Sequence, residues 1–365
     1  MDKGQLRKLN AYHVIFLVQN CMVGVKMLTL PHDMSAAGYN QWFIPILLGV
    51  IAQLGMLPMI WLCKRYPDDT LLQINEKLLG EWPAKLINAC IVAYATLAMA
   101  TVAEGYARLV QETTLPNQNS TFPLLGLLFV MVYMVRGGIK LIARFCILAF
   151  FFTGWMVYFL QWGFQKGHLS HMLPLFNVEA AQVAEAVRQS FPAMFGFELI
   201  LFYFPYIIKQ EKALLHASIG LWITTAFYFL VTLTSVAYFS EWQLSHIVFP
   251  ILSLFKAVEL TFLERIETLG VGLWLFLILT TMSCYLWVAK KGVDAVLGKR
   301  RHLHLYIPVL LGFLIMRGPL PFEMRQIVYD IFMVNMGYGL ILWPNLLLLL
   351  HWIRKPRRHQ HENVA

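Results

Sequence analysis

The chain has 365 residues, of which 59% are hydrophobic and only 13% charged, and its mean hydropathy is +0.61. Water-soluble domains carry about 25% charged residues, so this composition excludes an ordinary soluble protein and predicts that lipid is the solvent. The net charge of +9 is also typical of nucleic-acid binding. The positions of the basic residues decide between these two interpretations.

Long apolar runs separated by charge, glycine or proline predict a single polytopic membrane domain over residues 1–365, with ten transmembrane helices. The first run is too long for a cleaved signal peptide, contains Lys26 and lacks a cleavage site before Pro31. The predicted spans are about 10 to 30, 41 to 63, 84 to 109, 121 to 136, 141 to 164, 190 to 208, 214 to 239, 268 to 289, 303 to 317 and 331 to 353.

Three connecting segments have an amphipathic or mixed composition. Residues 68–80 predict an interfacial helix, and residues 166–189 are polar and weakly amphipathic. Residues 240–267 combine apolar side chains with Glu241, Lys256, Glu259 and Glu264. These charges predict a short surface or re-entrant helix there, in place of an eleventh span.

The basic residues are distributed unequally between the two sides of the membrane. With the N-terminus in the cytoplasm, 21 of the 29 Lys and Arg residues fall in cytoplasmic segments, seven fall outside, and Lys26 lies within the first span. The positive-inside rule therefore predicts that both termini are cytoplasmic. This distribution accounts for the net charge and leaves nucleic-acid binding without support.

The five cysteines all lie in or at the rim of apolar runs, and none forms a Cys-x-x-Cys pair. We interpret them as small packing residues: Cys21, Cys63, Cys90, Cys146 and Cys284. The histidines lack a Glu or Cys framework for zinc, and the glycine motifs of nucleotide-binding loops are missing from the sequence. No cofactor, metal ion or enzymatic activity is therefore expected.

Three ionisable residues, Lys26, Glu104 and Glu198, are predicted to lie well inside the spans. An intramembrane charge costs a few kcal/mol and indicates a functional site unless it forms a structural ion pair or is neutralised. At about 1.5 Å per residue, Lys26 and Glu104 both lie roughly 10 Å from the span centres towards the outer face. We therefore expect these two to pair, and we expect Glu198, near the middle, to be protonated or to receive a ligand ammonium.

Two of these charges lie beside potential helix breaks. The run from Val23 through Gly24, Val25 and Lys26 to Pro31 interrupts the first span, and Phe195, Gly196 and Glu198 follow Pro192 in the sixth. Glycine and proline both weaken a helix. Interrupted helices at matching positions of two halves indicate an inverted-repeat transporter fold with its ligand at the breaks. The alternative is that Gly24 and Gly196 only allow close helix packing.

Hydroxyl and amide side chains on the later spans are further candidates for polar contacts in a central cavity. Hydroxyls in membrane helices more often bond their own backbone, so these residues are not included in the predicted site: Thr280, Thr281, Ser283, Asn335 and Tyr338.

Several segments together resemble the B-type membrane subunits of spore germinant receptors (the GerAB family). These are residues 24–31 (GVKMLTLP), 38–42, the Phe-Gly-Phe-Glu segment at 195–198 with Phe204 and Pro205, and the Glu-Arg-Ile-Glu cluster at 264–267 followed by Trp274. The cluster at 264–267 is the most specific element. Helix and loop lengths agree over essentially the whole chain, while Lys26 departs from the small or apolar residue expected at its position.

The resemblance implies membership of the amino acid/polyamine/organocation superfamily and an all-α, LeuT-type fold. Two inverted five-helix repeats would occupy about residues 10–164 and 190–353, followed by a cytoplasmic tail at 354–365. It further implies a subunit in the inner membrane of a bacterial spore that assembles with an A-type subunit and a C-type lipoprotein. A small nutrient, usually an amino acid, would bind at Val23, Gly24, Val25, Lys26, Glu104, Phe195, Gly196 and Glu198.

Glu264, Arg265 and Glu267 precede or open the eighth span. Acidic residues are favourable at a helix N-terminus, so these residues either form a local network there or communicate with a partner subunit. Three functions remain open for the whole chain: a ligand sensor, a proton-coupled amino-acid transporter, and a structural subunit whose cavity is empty.

Overall fold

The computed structural model describes residues 9–113, 121–259, 266–318 and 321–362, except the side chains of Phe322 and residues 354–362. Within these ranges the regular structure is helical apart from one β-bridge between Leu9 and Ile207. The α-helices are α1 Ala11–Met22, α2 Lys26–Asp33, α3 Ile44–Arg65, α4 Leu71–Leu79, α5 Glu81–Thr113, α6 Thr121–Arg136, α7 Ile139–Thr153, α8 Leu160–Lys166, α9 Ala180–Ser190, α10 Ile200–Tyr203, α11 Ala213–Tyr238, α12 Glu241–His246, α13 Pro250–Lys256, α14 Ile266–Val296, α15 Tyr306–Arg317, α16 Phe322–Ile327 and α17 Val334–Glu362.

Six helical segments of the described chain are long and apolar enough to cross a bilayer, and the bent pair α1 and α2 makes a seventh. The six segments are Ser35–Arg65, Glu81–Thr113, Ile139–Lys166, Gln210–Tyr238, Ile266–Val296 and Glu323–Ile353. Shorter apolar helices occupy the other predicted spans, at Thr121–Arg136, Phe197–Tyr206 and His302–Arg317. The predicted all-α membrane fold is confirmed, while the number of ten crossings stays a prediction.

Short helices occupy the three connecting segments that the sequence singled out. Helix α4 begins after a capping box formed by Thr70 and Gln73, and it ends at Gly80, whose φ of 89° favours glycine. Helix α9 lies between the fifth and sixth predicted spans, and α12 and α13 lie between the seventh and eighth. The short helices predicted within residues 68–80 and 240–267 are therefore present, whereas α9 lies in a segment for which the sequence predicted no helix.

The centre of the bundle is formed by α14 packed along α5, with α1 and α11 packed against each other beside them. In the most apolar 18-residue stretch of α14, 72% of the residues are buried, whereas the corresponding share in Ile139–Lys166 is 33%. A helix that is apolar on all sides and enclosed by others lies inside a bundle. The breaks of the first and sixth predicted spans meet against this central pair.

The start of α1 is fixed by two sets of hydrogen bonds. The Asn10 side chain accepts from the backbone N–H of His13 at 3.1 Å, and the His13 ring accepts from the Asn10 N–H at 3.2 Å. Leu9 donates to Tyr206 O and accepts from Ile208 N, both at 2.9 Å. The chain before α1 is therefore held against the end of the sixth predicted span.

All five cysteines are free thiols, and four of them are buried as predicted for packing residues. Cys90 differs, because it lies on an exposed face of α5. Apolar residues on an outer helix face contact lipid in a membrane protein, so exposure there does not conflict with its apolar surroundings in the sequence.

Candidate functional site

The first predicted span is broken between Met22 and Lys26. Val23 has φ −83° and ψ 89°, outside the helical region, and α2 departs from the direction of α1 by 55°. Gly24 N donates to Met22 O at 3.1 Å, so it no longer bonds the Asn20 carbonyl as it would in a continuous helix. The break therefore releases backbone groups inside the bundle.

The sixth predicted span is broken at Phe195 and Gly196. Helix α9 continues as a 3₁₀ turn at Phe191–Met194, after which Phe195 has ψ 143° and Gly196 has φ 125°. A φ of this sign is strained for any residue with a Cβ atom. Both predicted helix breaks are thus present in the structure, at the predicted residues.

The two breaks touch each other through their backbones. A Cβ atom added to Gly196 would lie 2.4 Å from Cys21 O and 2.8 Å from Met22 N. Both packing and backbone conformation therefore require glycine at this position. The packing alternative for Gly196 and the helix-break interpretation turn out to be compatible, because the close contact is made at the break itself.

Hydroxyl groups from neighbouring helices bond the carbonyls that the breaks release. The Tyr228 hydroxyl on α11 lies 2.9 Å from Met22 O and 2.9 Å from Ala193 O, and it donates its one proton to either carbonyl. Thr281 on α14 donates to Asn20 O at 3.0 Å and also lies 3.0 Å from Leu277 O. Tyr228 therefore links the two broken helices directly.

Glu198 is fully buried and accepts three hydrogen bonds from the protein. Its Oε2 accepts from Gly196 N at 2.6 Å, and its Oε1 accepts from the hydroxyls of Tyr94 at 2.8 Å and Tyr285 at 3.1 Å. These donors belong to the second break, α5 and α14. The carboxylate thereby holds the broken segment against the central helix pair, and its oxygens have partners before any ligand arrives.

The predicted pairing of Lys26 with Glu104 is wrong for the described residues. Lys26 Nζ lies 3.6 Å from Asp33 Oδ2, and its side chain is 42% exposed. Glu104 lies 3.7 Å from both Arg317 and Arg325. The prediction failed because it compared only depths in the membrane, whereas Lys26 and Asp33 lie at the two ends of the same short helix, α2.

The remaining predicted ligand residues lie at the first break, and at the second break where Phe195 packs against another aromatic ring. Val23 is 2% exposed. Gly24 faces Val102 of α5, and the Val25 side chain lies against Gly105 on the same helix. The Phe195 ring packs against Tyr338 with 5.5 Å between ring centroids. Val23, Gly24, Val25, Phe195, Gly196 and Glu198 thus belong to the region of the two breaks.

The residues predicted at the start of the eighth span are only partly described. Glu267 lies in the first turn of α14 and is 8% exposed. Glu264 and Arg265 lie outside the described residues. The role of this segment therefore stays a prediction.

The polar residues at the breaks that the sequence did not single out are mostly tyrosines. Tyr94, Tyr228 and Tyr285 are each 3% exposed or less, and each bonds a released carbonyl or Glu198. A buried carboxylate signals that donors are needed nearby, but it does not indicate which helix supplies them. Thr281, named as a weaker candidate, does bond the first break as well as its own helix.

The fold is that of a LeuT-type membrane transporter. A solved structure described as MhsT in complex with L-phenylalanine covers 91% of this chain and 88% of its own, with a TM-score of 0.64 and 16% sequence identity. That likeness establishes the fold. It agrees with the helix breaks and with the multiple apolar helices, so the chain is a multi-pass membrane protein with this fold.

The sequence model of the family described as "Spore germination protein" matches residues 8–320. The chain belongs to this family, which confirms the resemblance. It is similar to spore germination protein GerQB of Bacillus cereus, with 25% identity over 84% of this chain and 86% of the relative. It is also similar to spore germination protein A2 of Bacillus subtilis (23%; 80% and 81% covered) and to GerLB of B. cereus (22%; 98% of each).

Replacing Gly196 by alanine is expected to disrupt the contact between the breaks. The positive φ alone costs a non-glycine residue roughly 1–3 kcal/mol, and the added methyl group meets the backbone of Cys21. We expect a clear fall in the thermal unfolding midpoint of the purified protein. Gly126→Ala is the matched control, since nothing lies within 4 Å of that Cβ position. Equal midpoints for the two variants would contradict the prediction.

Replacing Tyr228 by phenylalanine removes the hydroxyl shared by Met22 O and Ala193 O. Leaving buried carbonyls without this donor is expected to cost roughly 1–3 kcal/mol, measured as lower thermal stability in detergent. Tyr133→Phe, at a side chain that is 70% exposed, is expected to behave like the unmodified protein. The prediction is refuted if neither substitution lowers the thermal stability.

Proposed function

We propose that this chain is the membrane-embedded nutrient-sensing subunit of a spore germinant receptor, and that it binds a small amino-acid-like ligand at the two helix breaks. The observation that carries the proposal is the direct contact between the breaks inside a membrane domain of a spore germination family. Helix ends present partial charges of both signs, and discontinuous helices use them to recognise small charged ligands.

Backbone groups and apolar side chains at the breaks hold the ligand, and charged side chains lie around them. The proposed set is Val23, Gly24, Val25, Lys26, Glu104, Phe195, Gly196 and Glu198. Glu198 acts mainly by positioning the second break, because three protein donors already occupy its oxygens. A ligand ammonium approaching it would replace one of the two tyrosine hydroxyls.

The receptor assignment implies partners and a location. We place the chain in the inner membrane of the spore, with both termini in the cytoplasm as the 21 to seven distribution of basic residues indicates. Its partners are an A-type subunit and a C-type lipoprotein. Glu264, Arg265 and Glu267 are assigned to communication with these partners. The names of the relatives, which describe spore germination proteins, support a role in germination.

A proton-coupled amino-acid transporter is the alternative function. It is favoured by one observation: a fully buried carboxylate, Glu198, lies at the break and contacts hydroxyls on α5 and α14. Buried carboxylates inside membranes serve as proton relays. The family is not known as an enzyme family, and the site offers binding groups with no nucleophile and positioned base among its described residues.

Purified protein in liposomes separates sensing from transport. We expect saturable binding of a radiolabelled amino acid with no uptake under a proton or sodium gradient, because a sensor needs only the binding step. The panel should cover the standard amino acids. Concentrative uptake would overturn the sensor proposal and establish the transporter. Saturable binding lost in the presence of excess unlabelled amino acid serves as the control for specificity.

Glu198→Gln is expected to weaken ligand binding roughly tenfold to a hundredfold, the range for loss of a hydrogen bond to a charged group. The glutamine NH₂ accepts no hydrogen bond. Either the Gly196 N–H loses its acceptor, or the two tyrosine hydroxyls lose theirs and must turn. Affinity should be measured over a pH series, with the unfolding midpoint recorded to separate folding from binding. Glu185→Gln, on the exposed surface of α9, is the control. Unchanged affinity of Glu198→Gln at every pH refutes the assigned role.

A further inference from the structure

The connection between α14 and α15 exposes three consecutive basic residues. Helix α14 ends at Val296 and α15 begins at Tyr306, and between them Lys299, Arg300 and Arg301 are all exposed. Helix α14 is long and apolar enough to cross a bilayer, and α15 is part of a shorter apolar helix. Because the chain advances at most about 3.6 Å per residue, the short connection between these two helices stays close to the membrane surface.

The conformation of this connection is held from inside by Asp294, which is 7% exposed. Its Oδ1 accepts from the Arg301 backbone N–H at 3.4 Å and lies 2.8 Å from His304 Nδ1, while its Oδ2 binds Lys290 Nζ. Gly298, with φ 65°, makes the turn that follows the helix. The three basic residues are therefore carried by a closed turn.

A fourth basic residue reaches the same surface from another helix. Arg136 is exposed at the end of α6, where it donates to the Tyr306 hydroxyl and lies 5.7 Å from the centroid of that ring. It therefore lies beside the first residue of α15. We call Arg136, Lys299, Arg300 and Arg301 the basic surface.

The charge of the basic surface is not balanced by nearby acids. Residues 136–144 and 297–306 include no Asp or Glu, and the carboxylate of Asp294 is buried against Lys290 and His304. Other accessible cations do have carboxylate partners, as in Lys85 with Glu81, Lys166 with Glu259 and Arg188 with Glu185. The basic surface is therefore complementary to an anionic group from outside the chain.

Apolar side chains flank the basic residues and indicate which anion fits. Leu297 is 52% exposed and Leu303 is 69% exposed, on either side of the three cations. Basic residues beside exposed leucines are typical of segments that lie at the boundary between lipid headgroups and acyl chains. An acidic protein segment would match the charge but would leave both leucines in water. The combination favours a phospholipid.

We propose that the basic surface binds the phosphate headgroup of an anionic phospholipid, with Leu297 and Leu303 in contact with the apolar part of the same lipid. The site is separate from the proposed nutrient site and does not depend on it. The lipid is bound where α14 ends, and α14 also supplies Thr281 and Tyr285, which bond the first break and Glu198. Lipid binding therefore stabilises the helix that supports both breaks.

The test uses the purified full-length protein in detergent, with phosphatidylglycerol and phosphatidylcholine of identical acyl chains as probes. A ligand that binds only the folded protein raises the unfolding midpoint. We expect a saturable rise with phosphatidylglycerol that exceeds the rise with phosphatidylcholine. Equal rises for the two lipids would overturn the proposal.

The triple variant Lys299→Gln/Arg300→Gln/Arg301→Gln tests the basic surface itself. Each basic residue near an anionic lipid contributes roughly fivefold to binding, so we expect the half-saturating concentration of phosphatidylglycerol to rise roughly tenfold to a hundredfold. The substitutions keep the Arg301 backbone N–H that bonds Asp294, so the turn stays closed. Should the triple variant fail to fold, Arg300→Gln alone is expected to show roughly a fivefold rise.

The matched control removes the same charge from cations that already have carboxylate partners: Lys85→Gln/Lys166→Gln/Arg188→Gln. It should respond to phosphatidylglycerol like the unmodified protein, and equal losses in the two triple variants would overturn the proposal.

Two soluble anions separate a lipid site from its alternatives. Inorganic phosphate that raises the midpoint of the unmodified protein but not of the basic-surface variant would identify a site for a free anion. The same result with poly-L-glutamate would identify a surface for an acidic protein partner. Either result would overturn the lipid assignment, and we expect neither anion to give a rise that depends on the basic surface.

Discussion

The backbone contact between Gly196 and the Cys21–Met22 peptide is the constraint on which the rest of the site depends. A Cβ atom at Gly196 would lie only 2.4 Å from Cys21 O, so the two broken helices touch through their main chains. Asn20 O has no bond from Gly24 N there, as it would have in a continuous helix, and it accepts from Thr281 instead. Tyr228 donates to Met22 O or Ala193 O, and Tyr94 and Tyr285 donate to Glu198 beside the second break.

This arrangement gives a structural role to a few hydroxyl groups on the central helices of a strongly apolar chain. In lipid, an unpaired carbonyl cannot turn to water, so each break needs donors from its neighbours. Tyr228 is able to serve both breaks because they touch. Glu198 uses the opposite polarity, accepting from a backbone N–H of the break and from two hydroxyls. Tyr228 and Glu198 therefore both hold the two breaks in place, Tyr228 as a donor to carbonyls and Glu198 as an acceptor.

The fold class and both breaks could be predicted from the sequence, because glycine, proline and intramembrane charge are local signals. Contacts between residues that are distant in the sequence could not be predicted in this way. Lys26 was expected to meet Glu104 because their depths are similar, but Lys26 Nζ lies 3.6 Å from Oδ2 of Asp33, at the other end of α2. Glu104 instead faces Arg317 and Arg325 on segments more than 200 residues later. No sequence motif marks Tyr94 and Tyr285, because their role depends on where the fold places Glu198.

The bridge between Leu9 and Ile207 has a consequence for substitutions beside the breaks. Two backbone hydrogen bonds, from Leu9 N to Tyr206 O and from Ile208 N to Leu9 O, join the two chain segments on which the breaks depend. Any change that removes one of these bonds, such as replacing Ile208 by proline, which has no backbone N–H, would therefore disturb the segments beside both breaks at once.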